Sequence, residues 1–158
     1  MIIRPIQPSD NIALAKIIRE SIESLGLPTE GTAHSDPSTD DLFKLFKCEK
    51  SYYWVLEIDQ EVVGGCGIYP TNGLPNGCCE LVRFFLKEKV RGKGYGKILM
   101  QKSEETAIQF GFKLIYLESF PDMKAAIALY EKYAYQYLSN SLGNTGHHAC
   151  NVWMLKTL

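Results

Sequence analysis

Val90-Arg91-Gly92-Lys93-Gly94-Tyr95-Gly96-Lys97 is the stretch on which the reading of this chain turns. Three glycines alternate here with Lys93 and Tyr95, and Arg91 and Lys97 flank them. Before it, Cys78–Lys87 is β-rich. After it, Ile98, Leu99, Ala107 and Phe110 recur at helical spacing from about Gly94 to Phe110, and Gly111 supplies a stop. At a strand-to-helix junction the first backbone N–H groups of the helix have no internal partner and the helix dipole is positive. Glycines let a ligand approach the backbone closely, so the loop is suited to a phosphate or pyrophosphate. A plain connecting turn rarely needs so many glycines. The spacing G-x-x-x-x-G-K-[ST] of a nucleoside-triphosphatase loop is absent. The third glycine of a dinucleotide-binding loop is also missing, because Lys97 and Leu99 hold its place.

Working outward, Met1–Ile6 reads as a short edge strand and Asp10–Leu25 as a helix, with Leu14, Ile17, Ile18, Ile22 and Leu25 on one stripe and Gly26 ending it. Gly26–Pro37 has loop composition and is a candidate lid over a site. Ser38–Phe46 predicts a second, short helix. Tyr52–Ile58 and Val62–Tyr69 form a hairpin joined at Asp59-Gln60-Glu61, and Asn72–Gly77 turns the chain into Cys78–Lys87 as the third strand of an antiparallel meander. Phe112–Glu118 predicts a strand, Pro121–Tyr133 a helix, and Tyr135–Leu138 and Asn151–Lys156 two last strands. The order β-α-α-β-β-β-α-β-α-β-β, with no repeat or low-complexity tract, predicts one α+β domain over residues 1–158.

Composition narrows the function classes. The chain has 158 residues, 46% of them hydrophobic, enough for one core. A net charge of −1 without a basic run argues against nucleic acid or an anionic membrane as a general partner. The five cysteines are scattered, with no CxxC pair or zinc-type spacing, and read as reduced thiols rather than metal ligands. No signal layout or apolar run long enough to span a membrane is visible, so the expectation is a cytoplasmic protein.

Arg91-Gly92-Lys93-Gly94-Tyr95-Gly96 resembles the R/Q-x-x-G-x-G/A acetyl-CoA signature of the GCN5-related N-acetyltransferases, the GNAT family. Glu80-Leu81-Val82-Arg83-Phe84-Phe85-Leu86 stands where that family has its central strand, and Ala126–Lys132 looks like its helix bearing a tyrosine near the cofactor sulfur. The resemblance runs the whole length of the chain. It implies a GNAT-like fold, a mostly antiparallel mixed sheet flanked by helices, and an enzyme that uses acetyl-CoA as cosubstrate to acetylate the amine of a small molecule. It places the cofactor on Phe84, Phe85, Leu86, Arg91, Gly92, Lys93, Gly94, Tyr95, Gly96 and Lys97, and it implies a homodimer. Two positions depart from the pattern: Met123 stands where asparagine is frequent, and Ala134-Tyr135 replaces the common Gly-Phe.

The implied chemistry is direct attack of a neutral amine on the thioester carbonyl, with backbone N–H groups of the central strand holding the oxyanion. It needs a base, an oxyanion site and an acid for the departing thiolate. Glu80 is the candidate base. Its distance from Lys87, roughly 23 Å at about 3.3 Å per strand residue, is of the order of the pantetheine arm. Tyr130 is the candidate acid, although its spacing with Ala126, Leu129 and Tyr133 also fits an ordinary packed helix face. His147 and His148, lacking a carboxylate nearby in sequence, read as part of a loop lining the acceptor pocket rather than as metal ligands. Cys78 and Cys79 read as core. Glu30, Asp36, Asp40 and Asp41 make the candidate lid acidic, a composition that suits a cationic acceptor and equally a solvated loop. Two other readings stay open, a CoA-binding module without activity and a protein or peptide acetyltransferase.

Overall fold

In a computed structural model describing residues 1–158, the chain forms one seven-stranded sheet with helices on both faces. The strands are β1 (Ile2–Pro5), β2 (Tyr52–Ile58), β3 (Glu61–Tyr69), β4 (Cys78–Leu86), β5 (Leu114–Ser119), β6 (Gln136–Tyr137) and β7 (Val152–Thr157), in the spatial order β1-β2-β3-β4-β5-β7-β6. The helices are α1 (Asn11–Ser24), α2 (Leu42–Leu45), α3 (Tyr95–Gln109) and α4 (Lys124–Lys132). Every neighbouring pair is antiparallel except β4 and β5. The expected α+β class and element order hold. The second helix is shorter than its composition predicts. Pro37–Asp41 winds as a 3-10 turn and only Leu42–Leu45 is α-helical, because Asp41 caps the Lys44 amide and restarts the helix there. The last helix begins at Lys124 rather than Pro121, and β6 keeps two residues of the expected four.

Alternation along β2 shows how the sheet divides the core. Leu56 faces α3 and α4 with Leu99, Met100, Ala107 and Tyr130, whereas Tyr53 and Val55 face α1 and α2 with Leu14, Ile18, Ile22 and Leu42. A Cβ on Gly65 of β3 would lie 2.4 Å from the Tyr53 ring, so glycine lets that ring cross beneath β3. The Tyr53 hydroxyl emerges at β4, where it donates to the Arg83 carbonyl at 2.9 Å.

That bond supports a β-bulge. The β3–β4 register jumps from Gly67↔Val82 to Gly65↔Phe85, so Cys66 opposes both Arg83 and Phe84, and Arg83 takes a left-handed backbone conformation (φ 53°). β4 and β5 pair only from Cys78–Glu80 to Leu114–Tyr116. Beyond Glu80, β4 stays with β3 and β5 stays with β7, and the two central strands part to leave a cleft in the middle of the sheet. No helix is long and apolar enough to cross a membrane.

Candidate active site

The parting of β4 and β5 opens onto a cavity of about 380 Å³. Phe84, Phe85 and Leu86 of β4 form one wall, the turn Arg91–Gly96 and the start of α3 a second, and the N-terminal part of α4 a third. Gly92 and Gly94 have φ of 74° and 84°, which glycine adopts without strain, and a Cβ on either would meet nothing within 4 Å, so their backbone faces open space. Gly94 precedes α3 directly and leaves the first amides of that helix without intrahelical partners. The site thus offers free amides at a positive helix end beside an apolar trough, a set of groups that fits a pyrophosphate continued by a long, thin arm. Gly96 and Lys97 also border the cavity, while Lys93 and Tyr95 do not. Lys93 points outward, and Tyr95 packs against the α3-side core. Arg91 braces the trough, donating through Nε to the Leu86 carbonyl at 2.9 Å and through Nη2 to Ser21 Oγ on α1 at 2.9 Å.

A second, smaller cavity of about 70 Å³ adjoins the first, and Phe84, Phe85 and Met123 border both. Glu80 and Tyr130 line it. Glu80 is the last β4 residue paired with β5, which puts its side chain where the strands part; it is 5% exposed and accepts a hydrogen bond from the Thr71 hydroxyl. Burial raises its pKa to about 7, opposed by Thr71, reinforced by the nearby Glu118 carboxylate and opposed again by Arg83. Tyr130, 4% exposed, makes no hydrogen bond within the protein, and burial holds its pKa well above the usual phenol value. It keeps its proton at neutral pH. Met123 caps α4 without a side-chain bond to the backbone, and its Sδ lies 3.5 Å from Ser119 Oγ at the junction of the two cavities.

Glu118 was not singled out by the sequence. It is the penultimate residue of β5 and lines the same small cavity, accepting from Tyr116 Oη at 2.8 Å and Thr145 Oγ1 at 2.9 Å, and burial raises its pKa. A carboxylate closing the apolar run Leu114-Ile115-Tyr116-Leu117 was the available signal.

His147 borders the cavity, and its carboxylate partner comes from far away in sequence. Asp36 accepts from Arg83 Nη2 at 2.6 Å, and its Oδ2 lies 3.0 Å from His147 Nε2, which in turn lies 3.2 Å from Arg83 Nη1. Burial lowers the His147 pKa, and the Arg83 charge lowers it further. Most of the acidity expected of the lid is therefore not offered to a ligand: Asp36 is taken by Arg83, Asp40 by Arg19 at 2.6 Å, and Asp41 by the α2 cap and Asn11, which leaves only the exposed Glu30. Cys78 and Cys79 are buried core thiols; burial pushes Cys78 up to about 11 and Cys79 further above the usual thiol range, too high for a nucleophile. No three His, Cys, Asp or Glu side chains are grouped so as to hold a metal ion.

Residues 19–135 match the model of the acetyltransferase (GNAT) family. The chain belongs to the GNAT family. It is 39% identical over 158 residues to an uncharacterised N-acetyltransferase, YjgM, of Escherichia coli K12, a match that covers 99% of this chain and 95% of that protein. Solved structures share the fold. A GNAT acetyltransferase from Staphylococcus aureus Mu50 superposes with a TM-score of 0.83 at 16% identity, covering 99% of this chain and 98% of the other. The PaiA N-acetyltransferase of Thermoplasma acidophilum, solved with coenzyme A, does so with a TM-score of 0.77 at 17% identity, covering 99% and 98%. As a GNAT protein the chain is an acyltransferase.

Proposed function

We propose that the chain transfers the acetyl group of acetyl-CoA to the amine of a small-molecule acceptor by direct attack, with Glu80 as base and Tyr130 as acid. The observation that carries this reading is the junction of the two cavities. The large one suits the pantetheine arm and pyrophosphate and the small one the acceptor amine; they adjoin at Phe84, Phe85 and Met123, and Glu80 and Tyr130 both line the small one. The α3 amides and the glycines of the turn hold the pyrophosphate, and Phe84, Phe85 and Leu86 lie along the arm. Acetyl-CoA supplies the activated acyl group. Glu80, ionised in the upper part of the neutral range, takes the proton of the acceptor ammonium directly or through water, so that a neutral amine attacks. Backbone amides of β4 freed by the parting of the strands donate to the carbonyl oxygen as it gains charge. Tyr130, kept protonated and unpartnered, donates to the departing sulfur.

A small acceptor is favoured over a polypeptide because the inner cavity is narrow and walled by Leu27, Thr32 and Ala33 of the α1–α2 connection and by His147. The test is release of free CoA thiol from acetyl-CoA in the presence of a panel of amines, amino acids and peptides. Acceptor-dependent release with small amines supports the reading. Tight CoA binding without release under any acceptor would leave a binding module, and release with peptides alone would leave a protein acetyltransferase.

A further inference from the structure

We infer that the acceptor carries a second cationic group, held by Glu118, a short distance from the amine that Glu80 deprotonates. This rests on the inner cavity being the acceptor site. Six carboxylates of the chain are shielded from solvent. Four of them have a cationic partner: Asp10 and Glu57 share Arg4 at 2.8 Å each, Asp36 has Arg83 at 2.6 Å, and Glu104 has Lys156 at 2.8 Å. The other two, Glu80 and Glu118, have only hydroxyl donors from Thr71, Tyr116 and Thr145, and both line the inner cavity. Shielded charges in folded proteins are paired, so two unpaired carboxylates facing one cavity mark a place where the counter-ion arrives with the ligand.

The neighbouring charges do not answer for them. Arg83 comes within electrostatic range of Glu80, but its guanidinium is turned to Asp36, Ser38 and His147. Cys150 lines the same cavity as a neutral thiol raised to about 12 by burial and by both carboxylates, which places Glu80 and Glu118 around one spot. The Tyr130 hydroxyl, more than nine-tenths buried and without a partner, also lines that spot and awaits a ligand atom.

One ammonium cannot serve both carboxylates through the reaction. The amine that attacks must first give up its proton to Glu80, and it then carries no charge to set against Glu118. A second ammonium or amidinium can stay charged throughout. Glu80 lies opposite Tyr116 in the β4–β5 register, and Glu118 follows two residues on along the same face. The two carboxylates thus reach the inner cavity from neighbouring strands at the point where these part, a separation that a short aliphatic diamine spans.

The experiment compares 1,4-diaminobutane with 4-amino-1-butanol, of similar length but with one charge, in the parent and in Glu118→Gln. Acceptor kcat/KM is measured, and separately the thermal midpoint with each amine and no acetyl-CoA. The parent is expected to favour the diamine about 10- to 100-fold, the size of one charge-assisted hydrogen bond. Glu118→Gln should bring the ratio near one, chiefly through KM, while Glu80→Gln lowers kcat for both amines and keeps the ratio. Equal use of the two amines by the parent, or an unchanged ratio in Glu118→Gln, overturns the inference while leaving acetyl transfer in place. A midpoint raised by the diamine in the parent and not in Glu118→Gln, with no amine acetylated, supports the inference and instead overturns the transfer reading.

Discussion

At the scale of single residues, Glu80 carries opposing demands. Its burial suits proton transfer near neutrality and works against stability. If it is the base, kcat/KM rises with pH through about 7 as the carboxylate ionises. Glu80→Gln and Tyr130→Phe are then expected to lower kcat about 10²- to 10⁴-fold with acetyl-CoA affinity nearly unchanged, and Glu80→Gln should lose the rising limb. Full turnover with an intact limb in Glu80→Gln would remove the assignment. The stability effect has the opposite sign. The folded pKa of Glu80 is raised above its unfolded value, so its burial costs nothing below about pH 4, costs progressively more between about 4.5 and 7, and is fully unfavourable above that. Denaturant titrations should find Glu80→Gln more stable than the parent by about 2–3 kcal/mol at pH 8, the gap closing at pH 4.

At the scale of elements, the site comes from two interruptions of regular structure. The pairing of β4 with β5 stops at Glu80, and the bulge at Arg83 turns the following residues toward the gap. Opposite them α3 starts in glycine. A Cβ on Gly96 would stand 3.5 Å from Phe84, 3.7 Å from Leu129 and 3.8 Å from Leu86, ordinary contacts that put any larger side chain inside the cleft. Gly96→Val should therefore fold and yet lose CoA. At 100 times the dissociation constant, CoA stabilises the parent by about 2.7 kcal/mol, and the matching rise in thermal midpoint should be absent in the variant. A full rise would move the pyrophosphate elsewhere. Gly94→Val is the poorer test, because φ of 84° strains any side chain there whether or not a ligand binds.

At the scale of the whole molecule, Asp36, Arg83 and His147 staple the α1–α2 connection, the β4 bulge and the C-terminal loop around the inner cavity. Burial pushes the Asp36 carboxyl up, but hydrogen bonds from Ser38, His147 and Arg83, together with the Arg83 charge, hold it far below the usual carboxylate range. The pair's contribution is thus complete above about pH 4 and is lost as pH falls below it. Asp36→Asn leaves the Arg83 guanidinium, only 4% exposed, without its counter-ion. The expected loss is about 2–3 kcal/mol, discounted for the partial exposure of Asp36, or roughly 4–12 °C in thermal midpoint by calorimetry. An unchanged midpoint would mean that water already solvates Arg83.

Features set by neighbours along the chain were legible from the amino-acid order. The alternation of Gly92, Gly94 and Gly96 marked a strand-to-helix junction with open amides, and the apolar stripe Leu14, Ile17, Ile18, Ile22 marked α1, because helix periodicity and glycine conformation are local properties. The short α2 was misjudged in length because Asp41, a cap, looks like any other polar residue until its partner amide is known. Glu118 went unseen, and Asp36 and His147 looked unpaired, for one physical reason. Burial and ion pairing depend on which strands lie side by side and which loops fold over them, and Asp36 and His147 stand 111 residues apart in sequence. Only the tertiary structure decided which shielded carboxylates have a cation beside them and which two, Glu80 and Glu118, line the inner cavity without one, because a charge meets its partner across space rather than along the chain.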